Sequence, residues 1–216
     1  MRLIPGLKIV AWTAALAPLA PLALLLYQIY QFTLGLLILN DPVELIQHRT
    51  GISALILLFI TLSITPLRRI TGWNPLIKFR RLAGLFAFFY ATLHAFSYFV
   101  FDHSMDFSSI WADVIEHPWV WVGFLAFLFL IPLALTSTTG WIRRMGGKNW
   151  TRLHKLIYLI APMGVLHFIW LVKADVTEPV IYAVILAAIL AARILIKPKT
   201  KSATAPIGRP TPRSTS

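Results

Sequence analysis

Chemistry in this sequence rests on histidine. Of the six, His48, His103 and His117 fall in polar stretches or at their edges. His94, His154 and His167 fall inside, or at the edge of, long apolar runs. An ionisable side chain in such a run is costly to bury, so it calls for a function or a partner. One reading is a neutral imidazole hydrogen-bonded to a neighbouring helix. The other is metal coordination, which three imidazoles on two helices favour. Imidazole is the usual axial ligand of a non-covalent haem, which makes His94, His154 and His167 the candidate metal ligands. The chain has no cysteine. That excludes thiolate metal sites, iron–sulfur clusters, disulfides and covalent c-type haem attachment.

Depth sorts the three. The apolar run 82–101 rises from Arg80 and Arg81 to Asp102, and the run 156–172 rises from Lys155 to Lys173. His94 and His167 then lie six to eight residues below the same end. At 1.5 Å per residue their levels differ by only ~3 Å. Two imidazoles at one level on neighbouring helices can hold one iron from both sides. Gly84, Ala87, Ala91, His94 and Tyr98 share a face, as do Ala161, Gly164 and His167. Such small-residue faces have two readings, room for a porphyrin or close helix packing.

His154 lies ~20 Å below His167, with no histidine opposite it. Arg80, Arg81, Arg152 and Lys155 ring that half-site. Those charges read either as membrane anchors or as a seat for an anionic group: a haem propionate, a flavin phosphate or a reduced quinone. Arg80 and Arg81 are therefore candidate cofactor-binding residues. A first candidate for quinol oxidation is this same cluster.

The elements that must position these residues follow from composition. The 216 residues are 58% hydrophobic and only 13% charged, which excludes an ordinary soluble domain and a disordered chain. A helix crossing a ~30 Å hydrocarbon core needs about 20 apolar residues. Six runs qualify, at about 9–26, 51–66, 82–101, 119–136, 156–172 and 179–196. The stretch 9–39 is read as one span, kinked near Pro18 and Pro21, with an interfacial continuation. Of the 20 Lys and Arg, 18 fall in the alternate segments 1–8, 67–81, 137–155 and 193–216, while all eight acids fall in the three opposite loops. The basic side is cytoplasmic by the positive-inside rule. The net charge of +12 is thus a topology signal and not a nucleic-acid footprint. The expected fold is an all-α six-helix membrane bundle with both termini cytoplasmic. Residues 1–196 form the transmembrane domain, and 197–216 form a disordered basic tail. There is no phosphate loop, nucleophile elbow or room for a nucleotide fold, so the chain reads as an electron carrier and not a catalytic subunit. A stand-alone metal reductase would need a nicotinamide domain, and a solute transporter would show an inverted repeat.

A set of short stretches then aligns with a known family. They are Asp-Pro-Val-Glu-Leu-Ile-Gln-His-Arg-Thr-Gly at 41–51, Thr-Pro-Leu-Arg-Arg at 65–69 and Arg-Arg-Leu-Ala-Gly at 80–84. Ala-Thr-Leu-His at 91–94, Thr-Ser-Thr at 136–138, Leu-His-Lys-Leu-Ile-Tyr at 153–158 and His-Phe-Ile-Trp at 167–170 continue the set. In order and placement the chain resembles the MsrQ family, part of the ferric-reductase-like transmembrane group. The family supplies haem-binding membrane subunits to the bacterial periplasmic methionine-sulfoxide reductase system. The resemblance implies b-type haem on His94, His154 and His167, and FMN. It further implies electron transfer in the inner membrane, from quinol to a periplasmic molybdenum-containing subunit that repairs oxidised proteins. Relatives with two stacked haems carry a second histidine on the third span, which this sequence lacks.

Overall fold

The computed structural model describes residues 13, 15–172 and 175–196. Every regular element among them is helical. A 3-10 turn, Ala17–Leu19, leads into α1, Ala20–Thr33; α2 is Pro42–Thr71 and α3 is Leu76–Ser97, prolonged by a π turn at Tyr98–Asp102. Then come α4, Phe107–Glu116; α5, Pro118–Leu135; α6, Thr139–Leu153; α7, Ile157–Leu171; and α8, Thr177–Leu195. Five helical segments are long and apolar enough to cross a membrane: Pro42–Thr71, Leu76–Asp102, Pro118–Leu135, Thr139–Leu171 and Thr177–Leu195. The start of the expected first span (9–12 and 14), the N-terminal segment and the tail lie outside the described residues. What is described of that span is broken at Ala17–Leu19, where Pro18 and Pro21 remove backbone donors.

The second helix is the centre of the bundle. Asp41 caps its start by accepting from the backbone N–H of Val43 (2.8 Å) and Glu44 (3.0 Å), and Pro42 takes the first turn. It ends at Gly72, whose φ of +71° allows its N–H to close on Arg68. The helix is therefore longer at both ends than the apolar run 51–66, because caps and not hydropathy set its ends. Its main neighbour is α3, and α1, α7 and α8 also pack on it; α7's main neighbour is α5. Leu55, Leu58, Phe59 and Leu62 of α2 share one buried cluster with Ala87 and Tyr90 of α3, Leu130 of α5, Ile160 and Val165 of α7 and Leu186 of α8.

Two helices occupy segments expected to be loops. The Asp106 carboxylate caps α4 through the N–H of Ser108, and α4 turns Val114 inward while Phe107, Trp111 and Ile115 stay exposed. The Thr138 hydroxyl caps α6, and Gly146, at φ +73°, breaks it in the middle. Its Arg and Lys content hid it from a search for apolar runs.

Prolines interrupt the backbone ladder, and side chains from other helices fill the gaps. Pro66 has no N–H to give the carbonyl of Leu62, four residues earlier; Arg193 Nη1 of α8 donates to that oxygen at 2.6 Å. In return Arg69 of α2 donates to the carbonyls of Arg193 (2.9 Å) and Ile196 (2.7 Å), closing the end of α8. The hydroxyl of Tyr90, a residue 1% exposed, enters a helical rung near the start of α1: it donates to Pro18 O at 2.7 Å and accepts from Leu22 N at 3.1 Å.

The Arg193 bond is worth about 2 kcal/mol, as a charged donor on an otherwise orphaned carbonyl. Arg193→Ala should lower the thermal unfolding midpoint in detergent. The loss should shrink in a Pro66→Ala background, where Leu62 regains a backbone partner. Equal losses in both backgrounds would show that Arg193 does not act through that carbonyl.

Candidate functional site

Of the three histidines singled out by sequence, two come together. His94 of α3 and His167 of α7 have ring centres 6.1 Å apart, with planes at 78°. Each ring is held through Nδ1 by a backbone carbonyl. His94 Nδ1 bonds Gln47 O of α2 at 3.0 Å, and His167 Nδ1 bonds Trp119 O of α5 at 2.6 Å. A carbonyl only accepts, so both Nδ1 atoms carry the proton and both Nε2 atoms keep a free lone pair. Neither Nε2 has a hydrogen bond among the described residues.

The two holders are built alike. Gln47 is followed four residues later by Gly51, and Trp119 by Gly123. In a helix, residue i+4 stands directly above carbonyl i, so a side chain there would block an incoming ring. A Cβ at Gly51 would lie 3.2 Å from the His94 ring, and one at Gly123 would lie 2.7 Å from His167 Nδ1. Sequence reasoning did not assign these four positions. The signal available was a glycine inside each of two apolar helices, where it costs roughly 1 kcal/mol relative to alanine.

The small-residue faces resolve differently. A Cβ at Gly84 would meet Thr61 of α2 at 3.7 Å, and one at Gly164 would meet Leu55 of α2 at 3.4 Å. Ala87 and Ala161 are fully buried in the core. At Gly84 and Gly164 the room a ring would need is taken by α2 side chains, so those positions serve close helix packing.

Polar side chains gather above the paired imidazoles. Asp113 of α4 accepts from the Tyr98 hydroxyl at 2.5 Å and pairs with His117 at 2.8 Å, with His103 Nε2 at 3.6 Å. Burial pushes the Asp113 carboxyl up, but its bonds from Tyr98 and His117 outweigh that and hold it below the usual range. The Gln47 side chain donates to Asp102 at 2.7 Å while its carbonyl holds His94. Positive φ at Ser104 and Met105 turns the chain back between the end of α3 and α4.

His154 is elsewhere, in a 3-10 turn between α6 and α7. Its ring packs on Trp150 at 3.9 Å, and Nε2 lies 3.4 Å from the Thr136 hydroxyl. Trp150 Nε1 donates to Thr136 O at 2.9 Å, and Arg81 Nε donates to Ser137 O. Arg80 makes no hydrogen bond among the described residues and feels the like charges of Arg193 and Arg68. No group of three or more His, Cys, Asp or Glu among the described residues could hold a metal by protein ligands alone.

Paired, carbonyl-anchored imidazoles inside a bundle of membrane-length helices define a class, and the chain matches one: a family model described as ferric reductase like transmembrane component covers residues 50–165. Proteins named protein-methionine-sulfoxide reductase heme-binding subunit MsrQ are close in sequence. The one from Xanthomonas axonopodis pv. citri is 51% identical over 172 residues, 80% of this chain and 78% of the relative. That of Herminiimonas arsenicoxydans is 47% identical over 165 residues, 76% of each chain. The chain belongs to the MsrQ family.

Gly123→Ala should force the His167 ring away from Trp119 and destabilise the protein by about 1–3 kcal/mol. Gly51→Ala, with a longer contact, should cost less. Thermal unfolding of both variants in detergent checks the order, and the reverse order would contradict the geometry.

Proposed function

We propose that this chain is a multi-pass membrane electron-transfer subunit that holds a b-type haem between His94 and His167 and serves a methionine-sulfoxide reductase catalytic subunit. The observation that carries this is the pair of imidazoles whose Nδ1 atoms are both committed to carbonyls. The donor set fits the group. It offers two neutral nitrogen ligands and no thiolate or carboxylate, and it lies among apolar helices. The ring centres stand 6.1 Å apart, so the two Nε2 atoms would be the groups to hold one iron. When bound, the haem supplies reversible one-electron chemistry. The residues of the chain do the rest. Gln47 O and Trp119 O fix the tautomer and raise the basicity of each ring. The core cluster of α2, α3, α5 and α7 keeps water out, and Gln47 couples His94 to Asp102 at the outer mouth.

The name borne by these relatives supports a methionine-sulfoxide reductase catalytic partner. The resemblance extends this to a periplasmic molybdenum-containing subunit, quinol as electron donor, and the bacterial inner membrane. The charge asymmetry supports six spans with both termini cytoplasmic, which puts His94 and His167 in the outer half of the membrane, on the partner's side. Arg80, Arg81 and His154 are assigned to the inner end, where quinol or a second cofactor would enter. No described residue is assigned to FMN, which rests on the resemblance.

Purified protein should be red, with a Soret band that sharpens on dithionite reduction. His94→Ala and His167→Ala should each lose haem or turn it high-spin in absorption and EPR spectra. His154→Ala should leave the low-spin signal largely intact. A colourless protein would favour a transporter. Loss of the low-spin signal in His154→Ala, with its retention in His167→Ala, would overturn the pairing.

Reporter fusions after Asp106 and after Lys148 should report opposite compartments. The same compartment for both would overturn the topology.

A further inference from the structure

At the basic end a cleft of about 300 Å³ opens between α2, α7 and α8, lined by Arg69, Tyr158, Leu190, Arg193 and Ile194. Each arginine already donates to a backbone carbonyl, through Nη1 alone. A guanidinium carries five N–H donors, so most remain uncommitted among the described residues. Arg193 also lies 5.0 Å from the centre of the Tyr158 ring, and the charges of Arg193 and Arg68 act on Arg80 nearby. Four cations are thus gathered, all partly buried, where a low dielectric strengthens their repulsion.

No Asp or Glu neutralises them among the described residues. All eight Asp and Glu lie at 41–44, 102–116 and 175–178, at the far ends of the helices that carry these arginines. From Glu178 to Arg193 along α8 is ~22 Å, and from Glu44 to Arg69 along α2 is ~38 Å. The ion pairs among the described residues all use histidine, and none uses an arginine. The cleft therefore calls for an anion from outside the chain. Its remaining wall is apolar: Leu190 is half-buried, and Ile194 is 79% exposed on a membrane-length helix. A small hydrated anion would leave that wall bare. A phosphate attached to hydrocarbon would cover both parts.

We propose that this cleft binds the phosphodiester headgroup of an acidic membrane phospholipid. The free guanidinium N–H groups of Arg69 and Arg193 and the Tyr158 hydroxyl hold the phosphate, and Leu190 and Ile194 meet the first methylenes of the acyl chains. The site is independent of the haem pair and of the redox partner. It gives the cluster its missing counter-charge and ties α2, α7 and α8 together at one end. Basic pockets between membrane helices are known seats for acidic headgroups.

Native mass spectrometry of the full chain, released from nanodiscs of mixed phosphatidylglycerol and phosphatidylcholine, tests this. One phosphatidylglycerol should be retained over phosphatidylcholine by about tenfold, which corresponds to about 1.4 kcal/mol. Arg69→Gln and Arg193→Gln should abolish the preference, but both also remove helix contacts. Ile194→Glu at the exposed rim supplies an internal carboxylate and should abolish the preference with the fold kept, whereas Ile194→Gln should retain it. Equal retention of the two lipids by the unaltered protein overturns the proposal. So does a preference that survives Ile194→Glu, or displacement of the lipid by millimolar inorganic phosphate or FMN, which would make the site one for a free phosphate.

Discussion

A helix carbonyl has two lone pairs and spends only one on its own ladder. In this bundle helix carbonyls are the main cross-helix acceptors, some through that second lone pair and others because a proline or a helix end leaves them without a ladder partner. Their donors are His94 on Gln47, His167 on Trp119, Arg193 on Leu62, Arg69 on Arg193 and Ile196, Tyr90 on Pro18, and Trp150 on Thr136. The reason is composition. The apolar segments contain many donors that must be satisfied and no carboxylate to satisfy them. Backbone oxygens are what remains, and helix register decides where they stand.

This constraint joins the fold to the site. The second helix is held to α8 by the two arginines and receives both His94 and the small residues of α3 and α7. Its neighbours can approach closely because Gly84 and Gly164 carry no side chain. Close approach in turn brings α3 and α7 near enough for their histidines to share one level. The same helix supplies the Gln47 carbonyl near its N-terminal end and the Leu62 carbonyl in its C-terminal half. It therefore fixes both the imidazole pair and the arginine clasp.

Much of this was legible in the sequence. Apolar run length marks five of the six expected spans, and counting residues from the charged ends put His94 and His167 at one depth. Counting also kept His154 apart from them. The remainder depends on information that composition does not carry. Helices α4 and α6 are amphipathic or basic, so their apolar positions never form a run. The ends of α2 are set by Asp41 and Gly72, which act through backbone geometry. The small-residue faces were ambiguous because packing and cofactor space use the same residues; only the position of Thr61 and Leu55 separates them. Gly51 and Gly123 matter through the carbonyls four residues before them, a relation visible only once a partner ring is in place.

Main-chain anchoring also shapes how such a protein can change over time. Replacing Gln47 or Trp119 alters a side chain but cannot delete the oxygen that holds the imidazole. Point substitution is therefore blind to this part of the histidine's environment, and what it can remove is the side chain's own contacts, such as that of Gln47 with Asp102. Inserting or deleting a single residue between Gln47 and the packed part of α2, or between Trp119 and the packed part of α5, is different. It turns the local helix face by about 100° and carries the acceptor away from its ring. Lineages built this way should tolerate diversity in letters and resist change in length, with the two glycines as the fixed marks against which that length is kept.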